Sequence, residues 1–242
     1  MKIIIVRHGD PDYEHDSLTE RGKMEAALVA ERISKLKVDY FYQSPLGRAQ
    51  ATAKYTLDKM GRTAVTKDWL REFEGTSFRP DIGHETLGWD WLPQDWCIHE
   101  EFYDKNRWAE PEKMAMGTAK EKYDWVVSEF DKLIAEHGYV REGNFYRAVK
   151  PNMDTIVLFC HFGVECVMLS RILGVSPMTL WQGMIAAPTS VTTIATEERR
   201  EGIASLRVTS FGDTSHLYVA GVEPAFAGRF CECYTNADER HD

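Results

Sequence analysis

Apolar residues follow two rhythms along this chain of 242 residues. Short unbroken apolar runs predict buried strands, and stretches with apolar residues every three or four positions predict amphipathic helices. Lys2 to Val6 is a β-branched run, read as a buried strand that ends abruptly in the polar stretch from Arg7 to Asp16. Ser17-Leu18-Thr19-Glu20 has the capping-box form and predicts a helix start. Ala26, Val29, Ala30, Ile33 and Leu36 continue it with apolar residues on one side. Val38 to Tyr42 predicts a second strand, broken by Ser44-Pro45, and a helix with Ala49, Ala53, Leu57 and Met60 on one face follows. Thr63 to Thr66 predicts a third strand.

The rhythm changes after Gly75. Residues 76 to 108 hold four of the seven tryptophans, Trp89, Trp91, Trp96 and Trp108, together with Pro80 and Pro93. Flexible linkers are poor in tryptophan, so this predicts a partly ordered insertion, a lid or a self-buried subdomain. Thr118 to His137 predicts a long helix, again with a capping-box start (Thr118, Glu121) and with Gly138 as its stop. Thr155 to Cys160 is a central strand, Val164 to Leu173 a helix ended by Gly174, and Ser190 to Ala195 with Ile203 to Thr209 a hairpin. The tail from Gly221 shows no period. Alternating strands and helices imply an α/β protein, a three-layer α/β/α sandwich around a mostly parallel sheet. The length suits a single domain over 1–242 with an insertion at about 76–150.

Composition narrows the function. Apolar residues make up 43% of the chain, enough for a core, and the net charge of −9 argues against general nucleic-acid binding. A few arginines can still build a positive pocket on an acidic protein. Cys97, Cys160, Cys166, Cys231 and Cys233 show no zinc-ligand spacing, and Cys231-x-Cys233 is only a weak metal or redox hint. No apolar run approaches the roughly 18 residues that span a bilayer. The expectation is a reducing, cytoplasmic setting, with no membrane, no cofactor and no metal.

Three strand ends carry the candidate chemistry. Ligands of open α/β sheets bind at the carboxyl ends of strands. Two of these ends deliver a histidine with a glycine close behind, Arg7-His8-Gly9 and His161-Phe162-Gly163. The third gives Ser44-Pro45-Leu46-Gly47-Arg48 and sets Arg48 in the first turn of a helix, where a guanidinium can fork onto a phosphate. Each residue alone reads more easily as surface or core. Together they resemble the histidine phosphatase superfamily, the phosphoglycerate mutase-like family. Leu18-Thr19-Glu20-Arg21-Gly22 resembles the family's first helix start and Gly212-Asp213-Thr214-Ser215-His216-Leu217 a common closing segment. The similarity covers roughly residues 1 to 75 and 153 to 217.

The resemblance implies a phosphoglycerate mutase-like fold and a phosphomonoester hydrolase working through a phosphohistidine. His8 is then the nucleophile. Arg7, Arg48 and His161 surround the phosphoryl oxygens and make a metal ion unnecessary. The family's acid often lies in an L-x-E segment before a glycine. Here Leu70-Arg71-Glu72-Phe73-Glu74-Gly75 favours Glu72, and the short gap to Gly75 keeps Glu74 open. Asp10 either tests a second charge on the substrate or merely forms a turn before Pro11. Phe162 either lines the pocket or packs. A phosphoglycerate-type mutase and a non-catalytic phosphate-binding module are the alternatives. The expected partner is a small phosphorylated substrate, and a homodimer is left open.

Overall fold

The computed structural model describes residues 1–241. β1 (Lys2–Arg7) leads through the short ribbon β2 (Pro11–Asp12) and β3 (Ser17–Leu18) to α1 (Glu20–Ile33), then β4 (Tyr40–Gln43), α2 (Gly47–Met60) and β5 (Val65–Thr66). The insertion holds the hairpin β6 (Thr76–Arg79) and β7 (His84–Leu87), the single turns α3 (Pro93–Trp96) and α4 (Glu112–Ala115), and the long helix α5 (Ala119–Glu136). A second hairpin, β8 (Tyr139–Glu142) and β9 (Phe145–Ala148), precedes β10 (Thr155–Cys160), α6 (Phe162–Leu173) and α7 (Pro177–Gly183). β11 (Val191–Arg200), β12 (Ile203–Asp213) and α8 (Ser215–Val219) follow.

Eight strands form one sheet in the order β5-β4-β10-β1-β11-β12-β9-β8. The α/β sandwich read from the sequence is present, but its sheet is mixed. Parallel pairing is confined to β5, β4, β10 and β1, where helices make the crossovers. Beyond β1 the strands join antiparallel, because β11–β12 and β8–β9 are hairpins. Period-two alternation in β1 feeds two cores. Ile3 and Ile5 face α5 and α6 with Leu158 and Phe130, whereas Ile4 and Val6 face α1 and α2 with Val29, Phe41 and Ala53.

Two expected helix starts are corrected. Thr19, not Ser17, caps α1, accepting the Gly22 N–H, because Ser17 and Leu18 are paired with Pro11 and Asp12. Thr118 precedes α5 but makes no side-chain cap, since its hydroxyl is bonded to Thr76. The short helix α7 and the hairpins β6–β7 and β8–β9 were not read from the sequence. Their runs are too brief to show a period. Among the described residues no helix is long and apolar enough to cross a membrane.

Candidate active site

β1, β10 and β4 end side by side. Arg7 is in register with Cys160, and Val6 with Phe159 and Phe159 with Gln43. The ladder runs one step further, the His8 N–H donating to Cys160 O at 3.0 Å and the Ser44 N–H to Phe159 O at 2.9 Å. Backbone hydrogen bonding therefore fixes where His8, Ser44 and His161 leave the sheet.

The rings of His8 and His161 lie 5.0 Å apart between centroids. His8 is 1% exposed and His161 is fully buried. His8 Nδ1 lies 2.7 Å from Gly9 O. A carbonyl only accepts, so Nδ1 carries the proton and Nε2 keeps its lone pair. Burial holds both imidazoles well below their ordinary pKa. Arg7 and then Arg48 add to this at His8, and His8, Arg48 and Arg7 add to it at His161. Both are neutral at pH 7.

Arg7 is buried, with its Nη1 on Ala186 O and its backbone N–H on Ser190 O. Arg48 reaches in from the first turn of α2. Asp16 Oδ1 holds its Nη1 at 2.6 Å, Asp16 Oδ2 accepts the Gly47 N–H at 2.6 Å, and the Tyr13 ring lies 5.5 Å from the guanidinium. Asp16 takes a left-handed φ of 43° to make this double grip. A Cβ on Gly47 would meet Asp16 O at 2.2 Å, so only glycine admits the loop there.

Glu72 is separated from Glu74 by its surroundings. Glu72 Oε1 accepts the Phe73 N–H at 2.7 Å and the Val164 N–H at 3.2 Å, beside His161. Burial raises its pKa, against the pull of the Phe73 N–H, Arg7, Arg48 and the Val164 N–H. Glu74 instead pairs with Arg71 at 3.6 Å, half exposed. Asp10 Oδ2 accepts the Thr19 hydroxyl at 2.7 Å, which ties the loop to the start of α1. Phe162 opens α6 and is partly buried against the core.

Of the four tryptophans in residues 76 to 108, Trp91 and Trp108 are buried in the core and Trp96 lies against Tyr103. Trp89 lies beside Gly163: a Cβ on Gly163 would meet its ring at 2.4 Å and Glu72 Oε1 at 2.7 Å. Gly163→Ala must therefore displace Trp89 and the carboxyl together. The expected result is a fall in kcat of about tenfold or more and a loss of roughly 1–3 kcal/mol of stability, read from kinetics and thermal melts. An unchanged kcat would show that Glu72 tolerates being moved.

Sequence reasoning missed Asp16 and Glu165, and it named Trp89 only as one of the lid's four tryptophans. Only Glu165 left a signal, a lone carboxyl inside the apolar run Val164 to Leu169. Ser44 was read as a strand breaker and as part of the Arg48 motif, without a role of its own, yet its Oγ lies 2.8 Å from His161 Nε2.

A family model described as the histidine phosphatase superfamily (branch 1) matches residues 3–209. Phosphoserine phosphatase 1 of Hydrogenobacter thermophilus is 25% identical over 219 residues, covering 86% of this chain and 93% of that protein. A probable phosphoglycerate mutase of Yersinia pestis is 38% identical over 81 residues, 30% of this chain and 38% of the mutase. Among solved structures, an Entamoeba histolytica phosphoserine phosphatase variant in complex with phosphoserine aligns with TM-score 0.58 at 18% identity, covering 89% of this chain and 98% of that one. A mycobacterial glucosyl-3-phosphoglycerate phosphatase aligns with TM-score 0.59 at 19% identity, covering 88% and 99%. The two structures share the fold.

Proposed function

Because the chain belongs to the histidine phosphatase superfamily, we propose that it hydrolyses small phosphomonoesters through a phosphohistidine formed at His8, without a metal ion. One observation carries the reading. Two neutral histidines from adjacent strand ends, with ring centroids 5.0 Å apart, share one site with two guanidiniums from separate segments.

In this reading the Nε2 lone pair of His8 attacks phosphorus. An Nε2–P bond forms as the bond to the ester oxygen breaks, and Glu72 gives that oxygen its proton. Glu72 then takes a proton from water as the water attacks the phosphohistidine, and inorganic phosphate leaves. Arg7 and Arg48 balance charge on the phosphoryl oxygens. His161 is set up to donate to them. In this reading the Ser44 hydroxyl, which accepts the Leu46 N–H, donates its proton to His161 Nε2, and the ring proton of His161 then sits on Nδ1. That Nδ1 is buried and has no partner among the described residues. Trp89 supplies the wall beside the leaving group, which gives the Trp-rich insertion its part in closing the site.

The relatives' names support a small phosphorylated substrate, since one acts on phosphoserine and another on glucosyl-3-phosphoglycerate. The experiment is phenyl phosphate turnover in excess EDTA, with trapping of acid-labile phosphate on the protein. Activity within about twofold of the untreated enzyme is expected, because the two guanidiniums already provide the positive field and the neutral His161 adds only a hydrogen-bond donor. Loss in chelator that a divalent metal restores would defeat metal independence. Phosphate release from 3-phosphoglycerate outpacing its isomerisation separates a hydrolase from a mutase.

A further inference from the structure

The turn before β11 holds a strained residue that this chemistry does not use. β1 and β11 pair Val6 with Val191, and one step further the Arg7 N–H donates to Ser190 O and the Thr189 N–H to His8 O, each at 3.1 Å. Ala186 O, from the same segment, holds the Arg7 guanidinium. The segment from Ala186 to Ser190 is therefore strapped along the nucleophile and the arginine before it. Its turn is closed by the Ser190 N–H on Ala187 O at 3.0 Å, with Pro188 second and Thr189 third. Thr189 has a left-handed φ of 56°. Glycine is the ordinary occupant of such a third position. A β-branched residue is strained there and persists only where its surroundings hold it. Among the described non-glycine residues only Asp16 also has a positive φ, and Asp16 grips Arg48.

What holds Thr189 is its hydroxyl, which is buried with the rest of the residue. Oγ1 donates to Pro188 O at 2.8 Å and lies 3.1 Å from Nε2 of the buried His216. A hydroxyl has one proton and a carbonyl only accepts, so His216 Nε2 is the donor in the second bond. His216 Nδ1 is then a bare lone pair, and it has no partner among the described residues. Burial, then Arg32, brings the His216 pKa down to about 4 against the pull of Asp213. The ring is neutral at pH 7, with one N–H to give. The start of α8, which carries His216, is tied to α1 through Asp213, whose Oδ1 accepts Arg32 Nη1 at 2.6 Å and the Ser215 N–H at 2.8 Å.

We propose that Thr189 and His216 form a clamp that aims the nucleophile. The His216 N–H holds the Thr189 hydroxyl, the hydroxyl keeps the turn left-handed, and the Thr189 N–H fixes the backbone of His8. Both are positioning residues, acting through His8 and touching no substrate. This rests on the phosphatase reading above. It gives a task to the closing segment from Gly212 to Leu217, which that reading left without one.

The test is kcat for phenyl phosphate and para-nitrophenyl phosphate in a set of variants, with acid-labile phosphate trapped on each protein and thermal melts to check the fold. Thr189→Ala, strained and unheld, and His216→Ala are each expected to lose about tenfold. Thr189→Gly is expected to lose far less, about threefold, because glycine takes the turn without strain. In that background His216→Ala should cost nothing further, since the group it held is gone. His216→Gln, whose amide donates where Nε2 did, should recover most of the loss. The losses should be equal for the two esters, because the nucleophile is misaimed and Glu72 is untouched. A merely structural role predicts another pattern, in which Thr189→Gly falls as far as Thr189→Ala and His216→Ala costs as much in the glycine background as in wild type. Either result overturns the inference. Where His216→Ala does not fold, the order of Thr189→Ala and Thr189→Gly decides it. A wild type that forms the phosphohistidine, with Thr189→Ala and His216→Ala unimpaired, defeats this inference alone, and a wild type that forms none defeats both.

Discussion

Replacing His8 by alanine lowers phenyl phosphate turnover by about 10⁴-fold or more and leaves no acid-labile phosphate on the protein. The magnitude follows from the site's construction. No second nucleophile stands ready, because the neighbouring imidazole, His161, has Nε2 engaged by Ser44. The proposed anion-binding groups survive the change. Arg7 is anchored by Ala186 O and Arg48 by Asp16, neither through His8. Phosphate affinity should therefore persist while chemistry vanishes, and inorganic phosphate should inhibit a parallel binding assay about as well as in wild type. The fold should persist too, since among the described residues the one side-chain hydrogen bond His8 makes is to its own neighbour Gly9. More than one hundredth of the activity surviving, or label still trapped, would remove His8 from the chemistry.

The second large effect belongs to Glu72→Gln. The amide keeps an oxygen for the Phe73 and Val164 N–H groups, so the local hydrogen bonds stand. What is lost is the transferable proton, at a cost of about 10²–10⁴ in kcat. The loss should depend on the ester. With para-nitrophenyl phosphate, whose phenolate leaves unaided, it should shrink to roughly tenfold, because protonation then matters little. Glu74→Gln, changed on a surface ion pair with Arg71, should stay near wild type. Equal losses for both esters would show that Glu72 holds the site together and does not donate. A large loss from Glu74→Gln with Glu72→Gln silent would exchange their roles.

The glycine-bearing motifs show why local pattern reached as far as it did. A Cβ on Gly9 would lie 2.7 Å from Gly22 O, and one on Gly22 would lie 2.2 Å from Asp10 O. The loop after β1 and the first turn of α1 therefore interlock, backbone against backbone, and the tripeptide at Arg7 and the segment ending at Gly22 have to occur together. Such short-range constraints leave their mark in the order of residues, and so do the apolar rhythms of β1, β10, α1 and α5.

Other features left no such mark. The hydroxyl that caps α1 depended on which residues a two-stranded ribbon had already claimed, and the switch from parallel to antiparallel pairing at β1 depended on hairpins with little pattern of their own. The different surroundings of Glu72 and Glu74, two positions apart, depend in part on the Val164 N–H at the start of a helix some ninety residues away. Asp16 was assigned to Arg48 in the same manner. Periodicity and turn chemistry act over a few residues and can be read along the chain. The charge state and aim of a side chain are set by groups brought near only when the sheet closes, and those contacts exist in three dimensions alone.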